Sequence, residues 1–185
     1  MMAGGTAQSL KAEGLRLFQE GLYEEALRYF GQAQEQFAAE GNDAEAAEML
    51  NNQGVVYRVL HRWEEARAAL EEARAVFARI GDRHREAQAL GNLGGLLASR
   101  GDSLRAQEYL RQAADLFTEL GDNQRRAETL LALGVQMWKA GDRWGGIAAY
   151  QAGLEMLERP TPQQKTLRGL IRLASQLFRL RLPAV

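Results

Sequence analysis

The chain contains no cysteine. It therefore has no disulfide framework, no thiolate zinc site and no cysteine nucleophile. Histidine is nearly absent as well: His61 and His84 are the 2 in the chain, and by themselves they cannot make a metal site. Proline occurs 3 times in 185 residues while glycine occurs 19 times, which suits helices punctuated by tight turns. No apolar run approaches the roughly 18 residues of a membrane span, so none is expected. The first ten residues, Met1 to Leu10, lack the basic start and apolar centre of a secretion signal, which makes the cytoplasm the expected compartment. Strand-like alternation is missing throughout. With 46% hydrophobic and 25% charged residues, the composition is that of an ordinary globular domain and excludes a disordered chain.

The formal net charge is −1, so no overall field favours nucleic acid. The charge is nevertheless uneven. Residues 1–60 carry 9 acids against 4 bases, whereas residues 161–185 carry no acid and 5 bases (Lys165, Arg168, Arg172, Arg179, Arg181). Either these are solvated faces, or an acidic start and a basic end steer contacts between molecules.

What the sequence does contain is an internal repeat. Gly21-Leu-Tyr-Glu-Glu-Ala26, His61-Arg-Trp-Glu-Glu-Ala66, Gly101-Asp-Ser-Leu-Arg-Ala106 and Gly141-Asp-Arg-Trp-Gly-Gly146 follow one another at intervals of 40 residues. Gly41-Asn-Asp43, Gly81-Asp-Arg83 and Gly121-Asp-Asn123 keep the same interval. So do Gly14, Gly54, Gly94 and Gly134. Between these marks the apolar period is helical: over residues 62–80 it runs Trp63, Ala66, Ala69/Leu70, Ala73, Val76/Phe77, Ile80. Each unit thus predicts two helices joined by a turn in which Gly ends one helix and Asp or Asn caps the next. Helices are expected near 6–20, 22–40, 43–60, 62–80, 83–100, 102–120, 123–140 and 143–158. After Pro160-Thr161-Pro162 a ninth is expected over about 163–181, because Leu170, Leu173 and Leu177 repeat Leu130, Leu133 and Met137. The expected fold is all-α, with four and a half repeats (about 7–46, 47–86, 87–126 and 127–160, then the last helix) forming a single domain over 1–185.

The pattern resembles the tetratricopeptide repeat (TPR) family. The first helix of each unit carries Gly14/Leu17, Gly54/Tyr57, Gly94/Leu97 and Gly134/Met137. The second carries Ala26/Phe30/Ala33, Ala66/Leu70/Ala73, Ala106/Leu110/Ala113 and Gly146/Tyr150/Gly153. Small residues at such points let helices approach, and large ones fill the space between. The 40-residue period is longer than the family's usual one and is similar to the long repeats of kinesin light chain and Pins-type proteins. Gly146 and Gly153 stand where Ala is usual, and interior glycines cost helix stability, so that helix is expected to be the loosest.

The resemblance implies a right-handed solenoid whose first helices line a concave groove. It also implies a non-catalytic adaptor or scaffold that binds a peptide or protein in that groove, with no cofactor, no nucleic acid and no membrane. In the family's register the candidate groove residues are Asn51, Asn52, Val55, Arg58, Gln88, Asn92, Gly95, Leu131, Val135, Trp138 and Lys139. Asn51, Asn52 and Asn92 are disfavoured in mid-helix, so they serve either a ligand backbone or a neighbouring helix. Gly91 and Gly95 have no packing role in the register; a close ligand or simple drift would explain them. Trp138 either meets a ligand or packs on the last helix against Ile171 or Phe178. Trp63 and Trp144 are expected to be structural. The clamp that holds chaperone tails in some relatives is not carried over, because Lys11 fits it but Leu15 stands where Asn is needed.

A second reading concerns self-assembly. The last helix carries Leu170, Ile171, Leu173, Leu177, Phe178, Leu180 and Leu182, more apolar surface than one buried face requires. It would cover a second copy, lie in its own groove, or mark the edge of a longer regulator. No catalytic arrangement is expected: Glu24–Glu25, Glu64–Glu65 and Glu71–Glu72 are helix neighbours pointing about 100° apart, and the Gly-rich turns lack the strand and Lys of a phosphate loop.

Overall fold

A computed structural model describes residues 6–157 and 160–177. Among the described residues there are nine helices and no strand. They are α1 (Ala7–Gln19), α2 (Tyr23–Ala39), α3 (Asp43–Val59), α4 (Trp63–Ile80), α5 (Arg83–Ser99), α6 (Ser103–Glu119), α7 (Asn123–Lys139), α8 (Arg143–Met156) and α9 (Pro162–Leu177). Odd-numbered helices are the first, or A, helices of the repeats and even-numbered ones the second, or B, helices. Residues 178–181, expected to belong to the last helix, lie outside the described residues. The chain forms two compact units, Met1–Leu96 and Leu97–Val185, divided in sequence within α5.

The turns explain why the helices stop where they do. Gly21, Gly41, Gly81, Gly101, Gly121 and Gly141 have φ between 69° and 99°, a left-handed conformation that costs a Cβ-bearing residue energy. The residue after each Gly from 21 to 121 returns its N–H into the helix just finished, as Leu22 does to the Leu17 carbonyl at 2.9 Å and Asp122 to Phe117 at 2.9 Å. That same residue then starts the next helix. Asn42, Asp82, Asp102, Asp122 and Asp142 each accept a hydrogen bond from the backbone N–H three residues on. Leu22 and Arg62 stand in this place without a side-chain cap. His61 replaces the turn glycine and carries φ 58°, the one non-glycine with positive φ among the described residues.

In the first unit, α1 to α4 interlock through the small-and-large pattern. Ala26, Ala33, Ala66 and Ala73 are fully buried, as are Phe30 and Leu70. A methyl added at Gly14 would lie 2.7 Å from the Phe30 ring, and one at Gly54 would lie 2.5 Å from Leu70 Cγ. Those glycines therefore give their space to a side chain of the paired B helix.

In the second unit the same column is used differently. A methyl at Gly134 would sit 2.6 Å from the Gly146 carbonyl oxygen and 2.7 Å from the Tyr150 nitrogen. One at Gly153 would sit 2.8 Å from the Ala127 carbonyl. The backbones of α7 and α8 meet directly: the glycines cost α8 helix propensity but let it lie against α7 with no side chain between them at Gly134, Gly146 and Gly153. Leu130, Leu133, Met137, Ala149 and Leu154 complete this core. α9 packs on α8 through Ile171, beside Leu154 and Leu157.

Candidate functional site

The A helices of the first unit bring together much of the predicted site. An ion ladder crosses them. Lys11 Nζ on α1 lies 2.8 Å from Glu45 and 2.7 Å from Glu48 on α3. Arg85 on α5 reaches the same two carboxylates at 2.7 and 2.9 Å, and Asp82 at 3.2 Å. Burial pulls the Lys11 pKa down, but its bonds to Glu45 and Glu48 outweigh this and hold it above the ordinary value. Burial pushes the Glu45 carboxyl up, but Lys11 and Arg85 outweigh that and hold it below the usual carboxylate range. Lys11 is thus already engaged by carboxylates of this chain, a second physical reason against the chaperone-tail clamp.

The three asparagines take different roles. Asn51 is 8% exposed and accepts a 3.0 Å hydrogen bond from the Asn92 amide, which ties α3 to α5. Of the two roles open to these residues, that contact is the inter-helix one. Asn52 is half-buried and makes no side-chain hydrogen bond among the described residues. Its amide borders a cleft of about 80 Å³ lined by Leu15, Phe18, Phe30 and Val55. Gln88 pairs with the His84 ring at 2.9 Å, one turn away on α5.

Arg58 is half-buried on α3. Its Nε is shut off from solvent with no hydrogen-bond partner among the described residues. Burial lowers its pKa, and no neighbouring carboxylate offsets this. The guanidinium lies over Gly95 of α5: a methyl there would stand 3.3 Å from Nη1. At Gly91, one turn earlier, an added methyl would meet nothing within 4 Å.

The remaining predicted residues lie in the second unit. Val135, Trp138 and Lys139 of α7 line a cavity of about 300 Å³ together with Ile147 and Tyr150 of α8 and Leu167 and Ile171 of α9. Leu131, like Ile171, packs against the buried cluster of Ala127, Leu154 and Leu157. Trp138 is 51% exposed, with the Arg143 guanidinium 5.7 Å from its ring centre. Phe178, its other expected neighbour, lies outside the described residues.

Two things escape a reading by register. The ladder joins Lys11 to Glu45 and Glu48 and both of these to Arg85; its signal is the alternation of sign on successive A helices. The cleft beside Asn52 needs Phe30, a B-helix residue that fills the Gly14 notch and reaches the A-helix face. Trp63 is half-buried with its ring 5.0 Å from that of His61, whereas Trp144 is 55% exposed and packs little. Among the described residues no group of His, Cys, Asp or Glu is placed to hold a metal ion, and no helix is long and apolar enough to cross a membrane.

A stack of paired helices, with small residues at the crossings and capped glycine turns, defines a helix-pair repeat protein. The family model described as tetratricopeptide repeat matches residues 5–79 and 45–119, and the chain belongs to that family. Its fold is similar to the crystal structure of BtubC (BKLC) from P. vanneervenii, with a TM-score of 0.73 and 22% identity, over 84% of this chain and 66% of that one. No curated protein matches the chain. TPR repeats are generally protein–protein interaction modules.

Proposed function

We propose that this chain is a non-catalytic adaptor that holds a peptide or protein segment on the exposed face of its A helices, with the first unit as the principal site. The observation that carries this is Asn52. Its amide has donors and an acceptor uncommitted within the fold, and it borders an apolar cleft between α1 and α3. A backbone amide of a ligand satisfies such a group while an apolar side chain occupies the cleft. In the ladder beside it, Lys11 and Arg85 are already engaged by carboxylates of this chain. Asn52→Ala is expected to weaken a bound peptide by about 0.5–1.5 kcal/mol, roughly two- to tenfold, in calorimetric titration. Unchanged affinity for every partner that binds the chain contradicts the assignment.

A second reading, self-association through α9, has its own observation. Leu170 and Leu173 are 59% and 52% exposed, whereas Leu130 and Leu133, 40 residues earlier, are 4% and 2% exposed. The face that α7 buries against its B helix is bare on α9. Light scattering across a hundredfold range of concentration tests it. A dimer that dissociates on dilution and is abolished by Leu170→Glu supports this reading, and a monomer throughout removes it.

A further inference from the structure

Arg58 is at odds with its surroundings in a way the fold does not explain. A cation stripped of part of its hydration is costly unless a counter-charge or full hydrogen bonding compensates it. Lys11, Arg16 and Arg85, the neighbouring bases on the A helices, each hold two or more carboxylates. Arg58 has none, and its Nε is buried without a partner among the described residues. Beneath it, Gly95 is a second departure from local preference. Glycine inside a helix is unfavourable relative to alanine, and alanine here would stand 3.3 Å from Nη1, so the guanidinium would shift by a few tenths of an ångström from where it now lies. The missing side chain is the seat on which the guanidinium lies. Two locally unfavourable choices at one spot, each accounting for the other, are what a binding position looks like before its ligand arrives.

What the ligand must offer follows from the chemistry. With Nε closed to solvent, the Nη donors are the ones an incoming group can reach, and a guanidinium edge pairs best with a carboxylate, through charge-assisted hydrogen bonds. Val55, three residues before Arg58 on the same face of α3, lines the cleft beside Asn52. The cation and the cleft are therefore about one helical turn apart, roughly 4.5 Å along α3. This matches an apolar side chain and an acidic one separated by one or two residues in a peptide.

We propose that Arg58, seated on Gly95, is an anion anchor that takes the carboxylate of an acidic residue in a bound peptide whose nearby aliphatic side chain fills the Leu15–Val55 cleft. This rests on the peptide-binding reading above and gives it a ligand class. Its recognition element is not the chaperone-tail clamp, whose lysine position is closed by Glu45 and Glu48.

The test selects binders from a random-peptide phage library on the full chain. The best peptide is then made with its acid intact and with that acid changed to the amide. Both are titrated into the wild type and into Arg58→Gln, Arg58→Lys and Gly95→Ala. The selected peptides are expected to carry Asp or Glu within two residues of an aliphatic residue. Arg58→Gln is expected to weaken the acidic peptide about tenfold and leave the amide peptide unchanged, with Arg58→Lys between and Gly95→Ala also weakened. The melting temperature of free Arg58→Gln is expected to equal or exceed that of the wild type, because an uncompensated cation has been removed. Selected peptides without acids, or equal loss for acid and amide, overturn the anchor and leave the peptide-binding reading standing. A variant that melts markedly lower or does not fold makes Arg58 structural and also overturns the anchor. If no peptide is selected at all, both readings fail.

Discussion

Gly14 and Gly134 occupy the same column of the repeat, yet they answer to different neighbours. Gly14 yields its space to the Phe30 ring, a side chain buried in the core of the first unit. Gly134 yields its space to the α8 backbone itself, through Gly146 and Tyr150. One sequence mark therefore supports two kinds of helix crossing, and the B-helix partner decides which. With Phe30 or Leu70 opposite, the notch is filled by a side chain; with Gly146 and Gly153 on the B helix, the two backbones close on one another. Small residues in a repeat thus specify where helices cross, and their partners specify how closely.

Substitutions can break this comparison. Gly134→Ala forces a methyl against backbone atoms that cannot move alone, and about 3 kcal/mol of stability is expected to be lost in chemical denaturation. Gly14→Ala presses on a ring instead, and recovered helix propensity offsets part of the strain, so a loss of about 1–2 kcal/mol is expected. If the two variants lose equal stability, the distinction between the seams is wrong.

Smaller effects sharpen the picture at the helix ends. Asp122→Ala removes a 2.9 Å cap bond to the Arg125 N–H and is expected to cost about 1 kcal/mol. Installing Asp at Leu22, where no side chain caps α2, is expected to gain a similar or smaller amount. Gly31→Ala, where an added methyl meets nothing within 4 Å, is expected to stabilise by about 0.5–1 kcal/mol. Thermal melts of the three variants check these values together.

The ion ladder gives the first unit a pH signature. Glu45 titrates below its ordinary value in the folded state, so its stabilisation is present above the unfolded value of about 4.3 and is lost as pH falls through the folded one. Lys11 titrates above its ordinary value, so its contribution is complete below about 10.4 and is lost as pH rises through the folded value. Glu45→Gln is expected to flatten the acid limb of the stability curve measured from about pH 6 downward. An acid limb of unchanged steepness contradicts the assignment.

Most of the fold is legible in the sequence, because a 40-residue interval carried by turns, caps and notches fixes where each helix starts. Helix ends follow from Gly41, Gly81 and Gly121, and the small-large-small column of α2 follows from Ala26, Phe30 and Ala33. The site is less legible, because it depends on how far each helix is rotated. Asn51 and Asn92 sit one register position apart and meet across α3 and α5, so a residue assigned to the face turns out 8% exposed. Trp138, for which both a ligand contact and packing on the last helix are open in the sequence, is 51% exposed and lines a cavity with Ile171, while Trp144 is 55% exposed. The seat of Arg58 on Gly95 joins residues 37 positions apart, and no periodicity within one helix announces it. At α8 the composition speaks only of lost helix propensity, and the close backbone approach to α7 at Gly134, Gly146 and Gly153 is visible only in the structure.

The most direct measurement is a nitrogen-15 correlation spectrum of the full chain, titrated with a peptide selected on it. The largest shifts are expected on the amides around Leu15, Asn52, Val55 and Gly95 and on the Arg58 side chain, with those around Trp138 and Ile171 little changed. Shifts confined to α7, α8 and α9, or to the B helices of the first unit, would contradict it.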